Sequence, residues 1–248
     1  TLKLIAGIDP SKIKIIETVW DESLREGGQV LAVETNKAFE AIDADTDWAF
    51  YIQGDEVVHE KYLPVIKENM ERYKANPAVD GLLFKYLHFY GSYDYVGASA
   101  NWYTHEIRVI KNDKSIYSYR DAQGFRKGDN QKLKVVPIDA YIYHYGWVKD
   151  PRAMQKKRQN FNKFWHDDNW IEENIEKAET FDYDAHVREL KRFNDTHPAV
   201  MLSRIERKGW QFDYDISRNK KSAKDRVKHV LKKMGIDTSY RNYEIKKP

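Results

Sequence analysis

Apolar residues recur along this chain with two different periods, and the places where the period changes mark out elements. Residues 1–6 read as the last turns of a helix, closed by Gly7 and followed by Pro10. Residues 12–19 (KIKIIETV) alternate and are rich in isoleucine, which predicts a strand. A polar loop with a double glycine, 20–28, leads into a helical pattern from Gln29 to about Ile42. Residues 47–52 (DWAFYI) form a short, nearly continuous apolar run, the pattern of a buried parallel strand, and the run stops at Gln53-Gly54-Asp55-Glu56. In 60–74, Tyr62, Val65, Ile66, Asn69, Met70 and Tyr73 keep helical spacing until Asn76-Pro77, and 81–89 (GLLFKYLHF) predict another strand.

The order helix, strand, helix, strand, helix, strand predicts an α/β layer built on a parallel sheet. Beyond it the pattern loosens. Residues 90–130 are rich in glycine and tyrosine, with short strand candidates at 106–111 and 116–119, before a long alternating strand at 132–145. After Pro151 the chain reads as helical, at 152–165, 185–193, 197–208 and 222–234. This divides the chain into a catalytic unit at 1–150 and a helical extension at 151–248 packed on it.

Composition narrows the chemistry. The 248 residues contain no cysteine, which excludes disulfides, thiolate-bound metals and a cysteine nucleophile. No apolar run approaches the ~18 residues of a membrane span, so a cytoplasmic protein is expected. The formal charge of +3 is uneven: residues 218–248 hold eleven Lys/Arg against three Asp/Glu, a balance of +8, which leaves −5 for residues 1–217. A basic tail on an acidic body argues against a nucleic-acid partner. It suits either a solvated helix or peripheral contact with the inner face of an anionic membrane.

Candidate chemistry begins at the strand end. Asp55 and Glu56 are adjacent carboxylates after a buried strand, able to hold Mg²⁺ or Mn²⁺ or to be two solvated acids of a surface turn. Gly54 would let a ligand approach the backbone. His144 closes the long strand within an aromatic cluster, 141–147, and reads either as a metal ligand or as a packed imidazole.

KIKIIETV, EGGQVLAVETNKAF with Asn36, DWAFYIQGDE, EIRVIKN and YHYGW together resemble family 2 glycosyltransferases of the GT-A fold, in particular bacterial transferases that build lipopolysaccharide cores and capsules. The resemblance covers roughly residues 1–165. It implies a GT-A-like, Rossmann-related, mostly parallel sheet flanked by helices, and a strand–helix–strand unit for the nucleotide base preceding Thr1. It implies a nucleotide-sugar donor bound by Gln53, Gly54, Asp55, Asn36 and Arg25, and a divalent cation held by Asp55, Glu56 and His144. It further implies an inverting transfer to a glycan or lipid-linked acceptor with Glu106, or else Asp121, as the base. For Glu106 the plain alternative is a salt bridge with Arg108. Aromatic side chains such as Tyr93 and Trp102 would stack on acceptor sugars, or else fill the core.

The chain departs from the family pattern at Gln53, where the first acid of the motif belongs, and at Thr35, where a basic residue is usual. These departures keep a second function open, a non-catalytic sugar-binding or assembly protein. A nucleotidyltransferase would need a phosphate-cradling glycine-rich loop, which this chain lacks.

Overall fold

The computed structural model describes residues 2–21, 23–24, 26–175, 178–219 and 241–246. Helix α1 (Leu2–Ala6) precedes a stretch, 13–20, that forms no regular element. The strand predicted at 12–19 is therefore absent. Its apolar residues face solvent, with Val19 92% exposed, so the alternation of KIKIIETV has no buried face to serve. Helix α2 (Gln29–Glu40) follows Gly27 and Gly28, both at positive φ, which turn the chain into it. The strands are β1 (Trp48–Phe50), β2 (Glu56–Val58), β3 (Gly81–Tyr90), β4 (Tyr95–Gly97), β5 (His105–Lys111), β6 (Ile116–Tyr119), β7 (Gly124–Lys127), β8 (Gln131–Trp147), β9 (Leu190–Arg192) and β10 (Tyr243–Ile245). Helix α3 (Leu63–Tyr73) joins β2 to β3, and α4 (Pro151–Asn162), α5 (Asp168–Asn174), α6 (Tyr183–His186) and α7 (Ala199–Glu206) follow β8.

The sheet corrects the expected GT-A-like, mostly parallel architecture. Its order is β1-β5-β3-β8-β7-β6, with β2 and β10 also on β8 and a β4–β9 ribbon on β3. Among the described residues only β3–β8 and β10–β8 run parallel; every other pairing is antiparallel, in a ten-stranded, curled sheet. The cause lies with β1. The apolar run that reads as a parallel strand pairs instead antiparallel to β5, with Trp48 opposite Lys111 and Phe50 opposite Val109. A buried apolar run reports burial, not the direction of its neighbour. The helix expected at 185–193 is also absent. Residues 185–193 give only the end of α6 and then β9, and 222–234 lies outside the described residues.

The core is organised around β3, β5 and β8. Leu82, Phe84, Val109, Val136, Ile138 and Ile142 are packed under Ile66 and Tyr73 of α3. Leu83, Ile107, Ile110, Leu133 and Val135 form a separate cluster with Phe39 of α2. Each fully buried side chain of this size is worth about 1.5–3 kcal/mol. Past the middle of β8 the clusters become aromatic. Phe89, Tyr143 and Tyr145 meet Met201 of α7, and Tyr90 and Tyr95 meet Met154, Phe181 and Tyr183. Helices α4, α6 and α7 are thus bound to the C-terminal ends of β3 and β8. Among the described residues no helix is long and apolar enough to cross a membrane.

Candidate functional site

Three strands bring the candidate residues together. Strand β2 pairs antiparallel to β8 with Glu56 opposite His144, while β3 pairs parallel to β8 with His88 opposite His144. Glu56, His144 and His88 therefore form a row across the sheet. Asp55 precedes β2 in a turn closed by the Glu56 N–H donating to the Gln53 carbonyl at 3.0 Å. The Asp55 carbonyl accepts from the Tyr145 N–H at 2.8 Å, which ties the turn to the end of β8.

At this corner Asp55 Oδ2 lies 3.7 Å from His144 Nε2 and accepts from Lys157 Nζ of α4 at 2.8 Å. Lys157 also donates to the Gly146 carbonyl at 2.9 Å. Gly146 leaves this corner open: a Cβ at that position would fall inside contact distance of His144 Nε2 and 2.8 Å from Asp55 Oδ2, so those side-chain ends would have to shift. Burial by itself would raise the Asp55 carboxyl, but the neighbouring His144 ring, and then Lys157, hold it well below the usual carboxylate range. Lys149, pushed down chiefly by burial and then by Lys157 and Arg204, adds a second ammonium nearby.

Behind His144 stands His88. Its Nε2 faces the Tyr103 carbonyl at 2.9 Å and its Nδ1 faces His144 Nδ1 at 3.0 Å. Trp102 stacks on its ring at 4.9 Å. Burial, and then His144, push His88 down to about 3, so the ring is neutral.

Glu56 points inward. Arg108 donates to it through both Nη2 at 2.8 Å and Nε at 3.0 Å, the Tyr86 hydroxyl donates to Oε1, and both members of the ion pair have side chains at 0% exposure. Both carboxylate oxygens are taken, so Glu56 is placed in an internal bidentate pair rather than in the expected cation set. Among the described residues no group of three or more His, Asp or Glu is placed to hold a metal. Asp55 and His144 offer at most two donors to a cation. Donors each about 2.1 Å from one ion lie no more than about 4.2 Å apart, and these are 3.7 Å apart across the space that Gly146 leaves clear. Lys157 would have to turn aside, and its side chain, 31% exposed, has room to do so.

Glu106 is buried in β5. Burial is the main cause that raises its carboxyl to about 8, with Asp121 and Glu56 adding to the rise and Arg108 opposing it. The Glu106–Arg108 salt bridge is not formed, because Arg108 is bonded to Glu56. Asp121, likewise raised by burial, lies against Gly28 at the start of α2. Burial is the main cause that raises the Tyr103 hydroxyl, with Glu106, Glu56 and Asp55 adding to the rise and Arg108 opposing it.

The remaining expectations are placed elsewhere. Asn36 clamps β6, accepting from the Ser118 N–H at 2.6 Å and donating to its carbonyl at 3.4 Å, so its amide is spent on the fold. Gln53 donates to the Tyr51 hydroxyl at 3.0 Å, and Gly54 stands clear of all neighbours. Tyr93 is 2% exposed and packs on Tyr145 and His197, a core residue rather than a sugar platform. Trp102 is half-buried and borders a cleft with Ser99, Asn101, Arg188 and Glu189, beside His88. Arg25 lies outside the described residues, as does most of the basic tail at 218–248.

Sequence reasoning missed His88, Arg108 and Lys157. One signal was present: His88 and His144 stand in the same setting, each flanked by apolar or aromatic residues near the end of a strand. Their pairing needed the β3–β8 register, which neither segment reveals alone. No family model matches this chain, and no curated protein sequence matches it.

Proposed function

We propose that the chain transfers a glycosyl group from a nucleotide-diphosphate sugar to a hydroxyl acceptor, with a divalent cation held by Asp55 and His144. The observation that supports it best is the convergence of Asp55 Oδ2 and His144 Nε2 across Gly146, with Lys157 and Lys149 alongside. The reading does not depend on a parallel sheet, since chemistry belongs to the site and not to the fold. A bound cation would neutralise the diphosphate of the donor as it leaves. Lys157, released from Asp55, and Lys149 would pair with the same phosphates.

In this reaction the acceptor oxygen bonds to the anomeric carbon as the bond from that carbon to the diphosphate breaks, and the hydroxyl proton passes to a base. Glu106 has a carboxyl raised to about 8, so it would accept the proton once pH exceeds that value. Trp102 borders the cleft beside His88 and offers a face for an acceptor sugar. The acceptor is a glycan or lipid-linked hydroxyl and the protein is cytoplasmic.

The test is donor turnover with Mn²⁺ and a panel of nucleotide sugars. Asp55→Asn and His144→Ala should each lower turnover at least ~10²-fold, a loss of roughly 2.7 kcal/mol of transition-state stabilisation, while the proteins stay folded. Wild-type rates in both variants would refute the site. Donor binding without turnover in the wild type would favour the non-catalytic sugar-binding reading, which the commitment of Glu56 to Arg108 supports.

A further inference from the structure

We propose that His88 is a positioning residue that keeps the proton of His144 on Nδ1 and so presents Nε2 of that ring to whatever Asp55 binds. The Tyr103 carbonyl has no proton, so the 2.9 Å contact from His88 Nε2 requires a proton on that nitrogen. Both hydrogen bonds of His88 go to a carbonyl and an imidazole, neither of them a carboxylate. The ring is 3% exposed, between the face of Trp102 and the edge of Tyr103. The ionisable neighbours that act on the ring, His144 and Arg108, bring no negative charge, so burial disfavours a second proton and the ring carries one. His88 Nδ1 is then a lone pair, and the 3.0 Å contact with His144 Nδ1 must be donated by His144.

The consequence lies at the opposite nitrogen. When His144 is charged, Nε2 carries the second proton and faces the Asp55 carboxylate. When it is neutral, Nε2 is a lone pair 3.7 Å from Asp55 Oδ2. The same atom changes role in both states, and His88 prevents the ring from presenting Nδ1 instead. An outer partner that fixes the tautomer of a ligating histidine typically contributes 10–100-fold in metal affinity. The register makes this arrangement inevitable once β3 and β8 pair, because His88 and His144 are opposite each other in adjacent strands. The inference depends on the proposed activity only for what the ring is presented to; the tautomer itself does not.

The test compares the full chain with His88→Phe, which keeps an aromatic ring beside Trp102 but cannot accept a proton, and with His88→Gln. The glutamine can accept from His144 and donate to the Tyr103 carbonyl. Long-range ¹H–¹⁵N NMR of the His144 ring, at a pH where it is neutral and with no metal added, should show the proton on Nδ1 in the wild type and His88→Gln. In His88→Phe it should move to Nε2, the tautomer free imidazole side chains favour. Binding of Mn²⁺ alone, followed by EPR, should weaken ~10–100-fold in His88→Phe and stay within about threefold in His88→Gln. A wild-type ring with its proton on Nε2, or unchanged Nδ1 protonation in His88→Phe, would overturn the inference. Should His88→Phe fail to fold, the wild-type and His88→Gln spectra still decide it. An Nδ1 proton in a wild type that binds no Mn²⁺ would support the positioning role and count against the proposed activity.

Discussion

At Glu106 burial outweighs the pull of a neighbouring arginine, because that arginine is already paired. Arg108 is fully enclosed between Tyr51 and Tyr86, and its guanidinium fork matches the two oxygens of Glu56. Glu106 is left with a desolvated carboxyl raised to about 8. Two consequences follow from the sign of this shift. The native state holds a proton on Glu106 that the unfolded chain releases near 4.5, so stability is greatest below that value and is lost as pH rises toward 8. Glu106→Gln should abolish this loss, and the difference in unfolding free energy between the two proteins should change by about 1.4 kcal/mol per pH unit between pH 5 and 8 in urea titrations. If Glu106 is also the base, turnover should climb with pH up to about 8 and level off above it. A flat wild-type profile across that range would remove Glu106 from the reaction.

At the scale of elements, the pairings of β8 assemble the site. Its 17 residues outlast any one neighbour, so successive stretches pair with β10, β7, β2 and β3, and the last few carry His144 and Gly146. At Gly146 the strand passes so close to Asp55 and His144 that a Cβ there would push on both side chains. Gly146→Ala should displace both donors, lowering stability by about 1–3 kcal/mol through overpacking and weakening Mn²⁺ binding. Gly54→Ala, one residue before Asp55, should stay within about 0.5 kcal/mol of wild type, since nothing lies within 4 Å of its Cβ position. Thermal melts and metal titrations of the pair separate a packing role from a turn role.

For the molecule as a whole, the last described segment matters more than its length suggests. Strand β10 pairs parallel to β8 at Leu133–Val135, and Tyr243 packs against the cluster that contains those residues. Removing residues 241–248 should uncover that edge of β8 and lower the melting temperature, by about 2 °C per kcal/mol lost at this size. Activity per folded molecule should be kept, because the Asp55–His144 corner lies at the other end of β8. A truncated protein with unchanged melting would show that β10 contributes little.

Local periodicity made much of this legible. Residues 29–42, 60–74, 81–89, 116–119 and 132–145 announced α2, α3, β3, β6 and β8, because each presents one apolar face or run to a core and that demand is written within the segment itself. Asp55 and His144 were visible for a similar reason, as polar residues placed where apolar strands end. The direction of β1, the failure of residues 12–19 to pair, the inward turn of Glu56 and the link from His88 to His144 were not visible. Each is a relation between segments far apart in the chain. Glu56 reads as half of an acidic dipeptide until Arg108, 52 residues away, supplies a fork inside a desolvated pocket. Sequence alone determined which stretches must be buried and which residue types could carry chemistry. Only the tertiary structure decided which strand lies beside which, and therefore which of those residues share a proton, an ion pair or a common opening.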